Sequence, residues 1–289
     1  MSVIGIGIGI GIRKTQKGAL PMKLENKKIV LTGASGGIGS EIAIKLAKAG
    51  ADVALLDRDK DALESLAKRI SVQGGNVLPI ATDLLNSEAR EHAIDKALRS
   101  FGQIDVLINA AGLMSYRPFV EEDPALLERI IQLNTIVPML LIHRLLPGMQ
   151  AQGQGKIVNI GSTFGSIAFA WFSAYSASKF ALRGFSESLR RETSGTGVSV
   201  TYIAPRAVKT RLNTEAVYEM AQATGMHMDT PEWVAGKVIQ SIEKDKKDVY
   251  LGFPESLFVR INAVFPRLVD LALRKQNQTM AVFAKGEKA

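Results

Sequence analysis

Apolar runs alternate with amphipathic helical patterns from Lys27 to Gly252, and this alternation constrains the fold more than any other feature of the chain. The strands predicted from the apolar runs are Ile29–Thr32, Asp52–Leu56, Val77–Thr82, Ile104–Asn109, Lys156–Ile160, Val198–Ile203 and Val249–Leu251. The helices predicted between them are Ser40–Ala49, Asp59–Val72, Ser87–Phe101 and about Ala125–Gln150, with two more that begin near Ala174 and at Pro231. Apolar strands alternating with helices predict a single α/β domain with a doubly wound parallel sheet and helices on both faces.

The composition is that of a globular protein, and it excludes several kinds of site. With 46% apolar residues among 289, the chain can bury a large core. There is no cysteine, which excludes disulfides and thiolate ligands, and His92, His143 and His227 are dispersed, so we expect no metal site. The net charge of +8 is spread along the chain without a nucleic-acid motif, which favours an anionic cofactor or a membrane surface over nucleic acid. We expect a cytoplasmic protein.

The two ends differ from the central domain, which we place at residues 22–252. Residues 1–21 alternate Ile and Gly before a short basic run, and we expect them to form a flexible leader. Residues 253–289 read as a basic amphipathic extension in which Pro266 starts or kinks a helix. The extension is expected to pack on the domain or on a second subunit, and peripheral membrane contact is the alternative.

A glycine-rich turn, Thr32-Gly33-Ala34-Ser35-Gly36-Gly37-Ile38-Gly39, follows the first predicted strand and opens the first helix. Glycines there let the chain turn tightly and let its backbone approach a pyrophosphate. The free N–H groups and the dipole of the helix N-terminus favour the negative charge of such a group. The turn therefore predicts a dinucleotide site, with a purely structural turn as the alternative.

Asp57 ends the second predicted strand and bears on which dinucleotide binds. A carboxylate at this position can accept hydrogen bonds from the adenosine ribose and would repel a 2′-phosphate, which favours NAD. Arg58 and Lys60 stand beside it and could accommodate that phosphate, so NADP remains the alternative. Asp57 could also serve only as a turn or capping acid.

Ser162, Tyr175 and Lys179 are the residue types that a carbonyl reduction needs. Tyr175 and Lys179 are four residues apart, so a helix would place them on one face. Reduction of a ketone requires a proton donor for the developing alkoxide, and a nearby ammonium is expected to lower the pKa of a tyrosine hydroxyl. A serine hydroxyl can bind and polarise the substrate oxygen. A solvated helical face is the alternative interpretation of the Tyr–Lys pair.

Taken together, these motifs resemble those of the short-chain dehydrogenase/reductase family. The resemblance runs from about Lys27 to Gly252 and rests on the glycine turn, Asn109-Ala110-Ala111-Gly112, Asn134, Ser162, and the pair Tyr175 and Lys179. It implies a Rossmann-type fold, an NAD(P)-dependent oxidoreductase that interconverts a secondary alcohol and a ketone, and a homodimer or homotetramer.

The resemblance also assigns roles to individual residues. It implies that Tyr175 is the general acid/base, that Ser162 orients the substrate oxygen, and that Lys179 binds the nicotinamide ribose while lowering the pKa of Tyr175. Asn134 would hold a water in the proton relay, or alternatively form a structural helix kink, and Asp83 would contact the adenine or serve as an ordinary helix cap. The cofactor contacts it implies are Gly33, Ser35, Gly37, Ile38, Gly39, Asp57, Arg58, Asp83, Leu84, Asn109, Ala110, Tyr175, Lys179, Pro205, Val208 and Thr210.

Apolar side chains on loops beside these groups predict a lipophilic small-molecule substrate, such as an acyl, steroid-like or polyketide-like chain. Packing or a subunit interface is the alternative use of the same side chains, which are Leu113, Met114, Phe119, Phe164, Ile167, Phe169, Trp171 and Phe172. Residues Leu212–Gly225 would form a lid.

Arg206 departs from the family pattern, which commonly has Gly after Pro205. It is expected to reshape the nicotinamide end or to meet an anionic group of the substrate. A non-catalytic NAD(P)-binding redox sensor or scaffold, and a membrane-surface interaction protein, are the other function classes that we keep.

Overall fold

Seven parallel strands form one sheet in the order β3-β2-β1-β4-β5-β6-β7. The structure is a computed structural model that describes residues 22–286, so the predicted leader at residues 1–21 lies outside the described residues. The strands are β1 Lys28–Thr32, β2 Asp52–Asp57, β3 Val77–Ala81, β4 Val106–Asn109, β5 Gly155–Ile160, β6 Val198–Ala204 and β7 Asp248–Tyr250. The prediction of a doubly wound parallel sheet in a single domain is confirmed.

Helices cover both faces of this sheet. They are α1 Gly37–Lys48, α2 Lys60–Ser71, α3 Ser87–Phe101, α4 Pro124–Ile131, α5 Val137–Ala151, α6 Ser173–Glu192, α7 Glu215–Ala223, α8 Pro231–Glu243, α9 Glu255–Val264 and α10 Pro266–Ala284. On one face, Ile42 of α1 and Val238 of α8 belong to a fully buried cluster with the strands. On the other face, Ile94 of α3 and Leu141 of α5 do the same. The sheet therefore has a separate apolar layer on each side, as apolar parallel strands require.

The strand order reverses at β1, whose neighbours are β2 on one side and β4 on the other. Thr32 at the end of β1 pairs with Asn109 at the end of β4, so the loops that follow these two strands leave the sheet side by side. Ligands of open α/β sheets bind in the crevice outside the carboxyl ends of the strands at such a switch point. The topology therefore places the glycine turn and the Ala110–Gly112 segment at the same crevice.

The first helix begins at Gly37, three residues earlier than predicted, so part of the glycine turn is the first turn of α1. The predicted long helix is a nearly continuous run from Pro124 to Ala151 that contains a π-helical segment at Gln132–Ile136. Within the described residues, this run alone is long and apolar enough to cross a membrane. Its Leu141 and Met149 pack in the core on one face of the sheet.

The C-terminal extension folds back onto the domain as α9 and α10. Pro266 is the first residue of α10, as predicted. Val259 and Val269 pack against Ile167, and Met280 is fully buried against Phe172 and its neighbours. The packing of the extension on the domain, one of the expectations from sequence, places one face of α10 next to the loops that follow β4 and β5.

Candidate active site

A cleft of about 490 Å³ opens at the carboxyl ends of the strands. The predicted cofactor residues that line it are Gly33, Ser35, Gly37, Ile38, Gly39, Asp57, Arg58, Asp83, Leu84, Ala110, Tyr175, Lys179 and Thr210. Pro205 and Val208 line a smaller adjoining pocket of about 90 Å³, which also contains Ser162 and shares Tyr175 with the cleft. Positions spread over the chain from Gly33 to Thr210 thus meet at one site.

The glycine turn has a backbone shape that only glycine permits. Gly33 has a φ of +65°, and a Cβ on it would lie 2.7 Å from the backbone of Ala111. A Cβ on Gly39 would lie 2.0 Å from the carbonyl oxygen of Gly33. No side chain caps the N-terminus of α1, and no acidic residue stands in its first turn. Its N–H groups therefore face the cleft without a competing anion, and the turn fits the pyrophosphate of a dinucleotide.

Both acids at the predicted adenosine end line the cleft and also brace the turns around them. Asp57 Oδ2 accepts the Ser35 amide at 3.0 Å, and its Oδ1 accepts the Asp59 amide at 3.3 Å. Asp83 Oδ1 accepts the Leu85 amide at 3.0 Å. The two interpretations of Asp57, turn acid and cofactor neighbour, are therefore compatible, because its carboxylate ties the glycine turn to the end of β2 while it lines the cleft.

Asn109 is not brought into the cleft. Its Nδ2 donates to Asn159 Oδ1 at 2.8 Å, and Asn159 in turn donates to Ser186 Oγ at 2.8 Å, both within the core. The next residue, Ala110, lines the cleft, and its amide donates to Thr32 Oγ1 at 3.1 Å. The Asn109 side chain therefore fixes the end of β4 from within the core, and the cofactor contact of Ala110 stays a prediction.

Ser162, Tyr175 and Lys179 meet where the cleft joins the smaller pocket. Ser162 and Tyr175 both line the smaller pocket, and their hydroxyls interact. The Phe164 amide donates to Ser162 Oγ at 3.1 Å, which fixes that hydroxyl. Lys179 Nζ lies 5.6 Å from the centroid of the Tyr175 ring and donates to the carbonyl oxygen of Ile160 at 3.0 Å. The three predicted side chains therefore lie close together. Tyr175 and Lys179 are one helical turn apart on α6, and Ser162 follows the end of β5.

In the described structure, the lowering of the Tyr175 pKa that was expected from Lys179 is outweighed by burial. Burial raises the pKa of the Tyr175 hydroxyl to about 12, and an interaction with the Ser162 hydroxyl opposes this rise. Burial also lowers the pKa of the Lys179 ammonium to about 8. The reason is geometric, because the ammonium is directed at the Ile160 carbonyl while both groups are shielded from water. Tyr175 is consequently protonated at neutral pH.

Asn134 lies in the π-helical segment, a kind of irregularity that is frequent at functional sites. Its Oδ1 accepts the Leu113 amide at 2.8 Å, and its Nδ2 donates to the Leu113 carbonyl at 2.8 Å and to Ser178 Oγ at 2.9 Å. The side chain therefore joins the long helix, the loop after β4 and α6. The water-holding role implied by the resemblance stays a prediction, since both side-chain donors of Asn134 are already used by protein groups.

Tyr202 is a site residue that the sequence interpretation missed. Its hydroxyl donates to the Ser162 carbonyl at 3.1 Å and accepts the Ser162 amide at 3.3 Å. A Cβ on Gly161 would lie 2.1 Å from the Tyr202 ring, so the glycine before Ser162 makes room for this contact. The sequence signal of this contact is Gly161 before Ser162, and a glycine does not indicate which distant residue packs against it.

The smaller pocket is predominantly apolar, and the predicted lid forms part of its wall. Phe164 stands edge-on to the Tyr175 ring at 6.0 Å, and its other ring contacts are with Phe169 and Phe172. The predicted lid contributes Leu212, Val217 and Met220 to the lining. Further lining residues are Met114 and Met226.

The remaining apolar loop residues of the prediction either pack against the C-terminal helices, line the larger cleft or are exposed to solvent. Trp171 has a φ of +72°, and its Nε1 donates to the carbonyl oxygen of Asn277 on α10 at 3.3 Å. Ile167 packs under α9 and α10, and Leu113 lines the dinucleotide cleft. Phe119 is exposed and lies apart from both cavities. Part of the apolar set therefore packs in the core, another part lines the two cavities, and Phe119 does neither.

Arg206 meets anions of the protein itself. Its Nε and Nη2 donate to the two carboxylate oxygens of Asp229 at 3.0 Å each, and its Nη1 donates to Glu255 at 2.9 Å and to the Phe253 carbonyl at 3.2 Å. Arg206 lines the smaller pocket, and the expected reshaping of that end stays a prediction. The expectation that Arg206 meets an anionic substrate has no support here, because its charge is already paired with Asp229 and Glu255.

Comparison with known proteins decides the family. Residues 27–221 match the sequence model described as short chain dehydrogenase. The chain belongs to the short-chain dehydrogenase family. It is 33% identical over 273 residues to the bovine dehydrogenase/reductase SDR family member 7B, a match that covers 89% of this chain and 84% of the relative.

Two further members of the short-chain dehydrogenase family bear on its chemistry. The ketoacyl reductase HetN of a Nostoc species is 32% identical, over 87% of this chain and 89% of its own length. The crystal structure of a metagenomic short-chain oxidoreductase in complex with NADP superposes with a TM-score of 0.67 and 31% identity, covering 80% of this chain and 97% of that one. The chain is thus an oxidoreductase of the short-chain type that uses a nicotinamide cofactor, and the comparisons do not favour a non-catalytic sensor or scaffold.

Proposed function

We propose that this short-chain oxidoreductase interconverts a secondary alcohol and a ketone, with Tyr175 transferring the proton. The observation that carries the proposal is the position of Tyr175, which lines both the dinucleotide cleft beside Lys179 and the apolar pocket beside Ser162. When bound, a nicotinamide supplies or accepts a hydride at the carbonyl carbon. The protein's own groups have to bind the substrate oxygen and move its proton.

In the direction of reduction, Tyr175 donates its proton to the oxygen that develops negative charge. Burial keeps Tyr175 protonated at neutral pH, with a pKa of about 12, so the proton to be transferred is present. Ser162 donates a hydrogen bond from its hydroxyl to the same oxygen, while the Phe164 amide holds Ser162 Oγ in place. Lys179 places a positive charge beside the ring and stabilises the phenolate that remains.

The proposed substrate is lipophilic, with an acyl, steroid-like or polyketide-like chain. The apolar pocket beside Tyr175 supports this, as does the extension of its lining by Val217 and Met220 of the lid helix α7. The similarity to HetN, which is a ketoacyl reductase, favours an acyl ketone within that class.

A series of ketones of graded chain length tests the substrate class. We expect kcat/KM to rise with each added methylene until the pocket is filled, by up to about fourfold per step for a contribution of ~0.8 kcal/mol. Met220→Ala should flatten the rise, whereas Phe119→Ala, at an exposed position away from both cavities, should leave it unchanged. The same kcat/KM at every chain length would contradict a lipophilic pocket.

The proposed cofactor is NAD, with NADP as the alternative. Asp57 supports NAD because its carboxylate lines the cleft and would repel a 2′-phosphate, although Arg58 beside it is a potential phosphate ligand. Asp57→Ser should raise the affinity for NADPH relative to NADH in a fluorescence titration, because serine retains an acceptor for the Ser35 amide and removes the charge. Asp61→Ser, on α2 outside the cleft, is the matched control. An unchanged ratio in Asp57→Ser would refute the assignment.

The oligomer proposed is a homodimer or a homotetramer. Two exposed apolar side chains, Leu140 on α5 and Phe180 on α6, support it, because a second subunit could remove them from water. Sedimentation velocity should give a dimer or tetramer for the wild type and a smaller species for Leu140→Glu. A monomeric wild type at micromolar concentration would contradict the proposal.

A further inference from the structure

The outer side of α9 and α10 exposes a continuous set of large apolar side chains. We call this set the C-terminal apolar face; it consists of Leu257, Phe258, Val264, Phe265, Leu268 and Leu271, which are 43–66% exposed. Val72, by contrast, is an exposed apolar residue at the C-terminal end of α2, outside this set. Scattered single residues of that kind are normal, whereas a concentrated set marks a surface that contacts another apolar phase.

The exposure belongs to helices that are firmly anchored on their inner side. Val259 and Val269 are buried against Ile167, and Asn262 Nδ2 donates to the Ser166 carbonyl at 2.9 Å. Further along α10, the Tyr116 hydroxyl donates to the Met280 carbonyl at 2.6 Å. Because the inner side is held by these contacts, the C-terminal apolar face cannot turn inward to bury itself, and it needs an external partner.

The charge beside this face is cationic. Its basic residues are Arg260, Arg267, Arg274, Lys275 and Lys285, and the acids of the same stretch up to Gly286 are Glu255 and Asp270. Glu255 is paired with Arg206, and Asp270 lies 3.3 Å from Arg267. The surface therefore combines exposed aromatic and aliphatic side chains with an excess of positive charge, which is the composition of interfacial amphipathic helices.

We propose that the C-terminal apolar face docks onto the interface of an anionic lipid bilayer. A second copy of the chain is the competing occupant. In a two-fold dimer the same patch meets itself, so the arginines of one copy would approach those of the other. Phosphate headgroups instead offer negative charge to these side chains, and the acyl region accepts Phe265 and Leu268. Charge complementarity thus favours the bilayer.

Co-sedimentation of the purified full-length protein with vesicles tests the proposal without any use of its catalytic activity. The probes are vesicles of phosphatidylcholine alone and of phosphatidylcholine mixed with phosphatidylserine. We expect binding to the mixed vesicles, weaker binding to the neutral ones, and a decline with added salt. The variant Phe265→Glu/Leu268→Glu should lose at least about tenfold in partition, because two apolar side chains leave the acyl region.

Two further variants keep the outcome interpretable. Val72→Glu changes an exposed apolar residue that lies outside the C-terminal apolar face, and it should bind like the wild type. Arg260→Gln/Arg274→Gln leaves the apolar residues in place and should lose the preference for anionic vesicles while retaining fold and cofactor binding. It thereby tests the charge even if the glutamate variant fails to fold.

Equal binding of the wild type and both variants of the face would overturn the proposal, since the bilayer would then be contacting another part of the chain. Absence of vesicle binding by the wild type would overturn it as well. So would a wild-type dimer that Phe265→Glu/Leu268→Glu converts to monomers, because a second copy would then be the occupant.

Discussion

The hydroxyl of Tyr202 holds the backbone of Ser162 on both sides, donating to its carbonyl at 3.1 Å and accepting from its amide at 3.3 Å. Replacement by phenylalanine leaves the buried Ser162 amide without a partner and frees the serine to move. We expect Tyr202→Phe to lower the free energy of unfolding by about 1–3 kcal/mol and to lower kcat more than it raises KM. Urea denaturation and steady-state kinetics measure the two effects.

Tyr250→Phe provides the control for Tyr202→Phe. Tyr250 is the neighbouring aromatic ring, and its hydroxyl contacts Ser166 Oγ at 3.3 Å instead of Ser162. The control should retain its kcat. If Tyr202→Phe also keeps the wild-type kcat, Tyr202 has no positioning role.

Arg206 joins the loop after β6 to the start of α9, through Asp229 and Glu255. Arg206→Gln removes the guanidinium and leaves the buried carboxylate of Asp229 poorly compensated. We expect a loss of about 3 kcal/mol in the free energy of unfolding and faster proteolysis within the C-terminal helices. Limited proteolysis and denaturation in urea provide the measurements.

The matched control for Arg206→Gln is Arg190→Gln. Arg190 makes a similar two-pronged contact with Asp248, but that carboxylate is exposed to solvent. A solvent-exposed ion pair contributes less to stability, and we expect Arg190→Gln to lower the free energy of unfolding by less than about 1 kcal/mol. Equal losses for the two variants would show that the Arg206 contacts do not fasten the extension.

Lys179 carries a buried charge that costs stability, and its removal should stabilise the cofactor-free protein. Burial lowers its pKa from 10.5 to about 8, which corresponds to a cost of about 3 kcal/mol in the free energy of unfolding. Removal of Lys179 recovers this cost but loses the hydrogen bond to Ile160, which offsets about 1 kcal/mol of the gain. We therefore expect Lys179→Met to be about 2 kcal/mol more stable than the wild type at pH 7 and to be inactive.

The stability gained by Lys179→Met should decrease as the pH rises. Between pH 8 and 10.5 the unfolded wild type still binds the proton that the folded protein has released, so the contribution of Lys179 to stability rises with pH there. The advantage of the variant should shrink across that window. Denaturation in urea at pH 7 and pH 10 measures it, and a variant that is less stable than the wild type at pH 7 would contradict the assigned cost.

Local patterns in the sequence predicted the fold and most of the cleft. The strands follow from apolar runs, and the position of Gly33 to Gly39 after the first strand located the dinucleotide site. Contacts between distant segments were beyond such patterns. The pairing of Arg206 with Glu255 and the hold of Tyr202 on Ser162 join residues 49 and 40 positions apart, and no local spacing encodes them.

The pKa of Tyr175 illustrates the same limit. The sequence places Lys179 one helical turn away, which suggested a lowered pKa, but it contains no information on how deeply the pair is buried. In the structure, burial outweighs the proximity of the ammonium, which donates to Ile160 instead. Similarly, the sequence indicated that residues 253–289 are amphipathic. Only the packing in the structure shows which side chains face Ile167 and which face solvent.

The proton-transfer role of Tyr175 is the central claim, and Tyr175→Phe tests it most directly. The ring and its contact with Phe164 are retained, while the hydroxyl is lost. The variant should bind NADH or NADPH as tightly as the wild type in a fluorescence titration and should reduce a ketone at least about 100-fold more slowly. Wild-type turnover with intact cofactor binding would contradict the assignment of the proton to Tyr175.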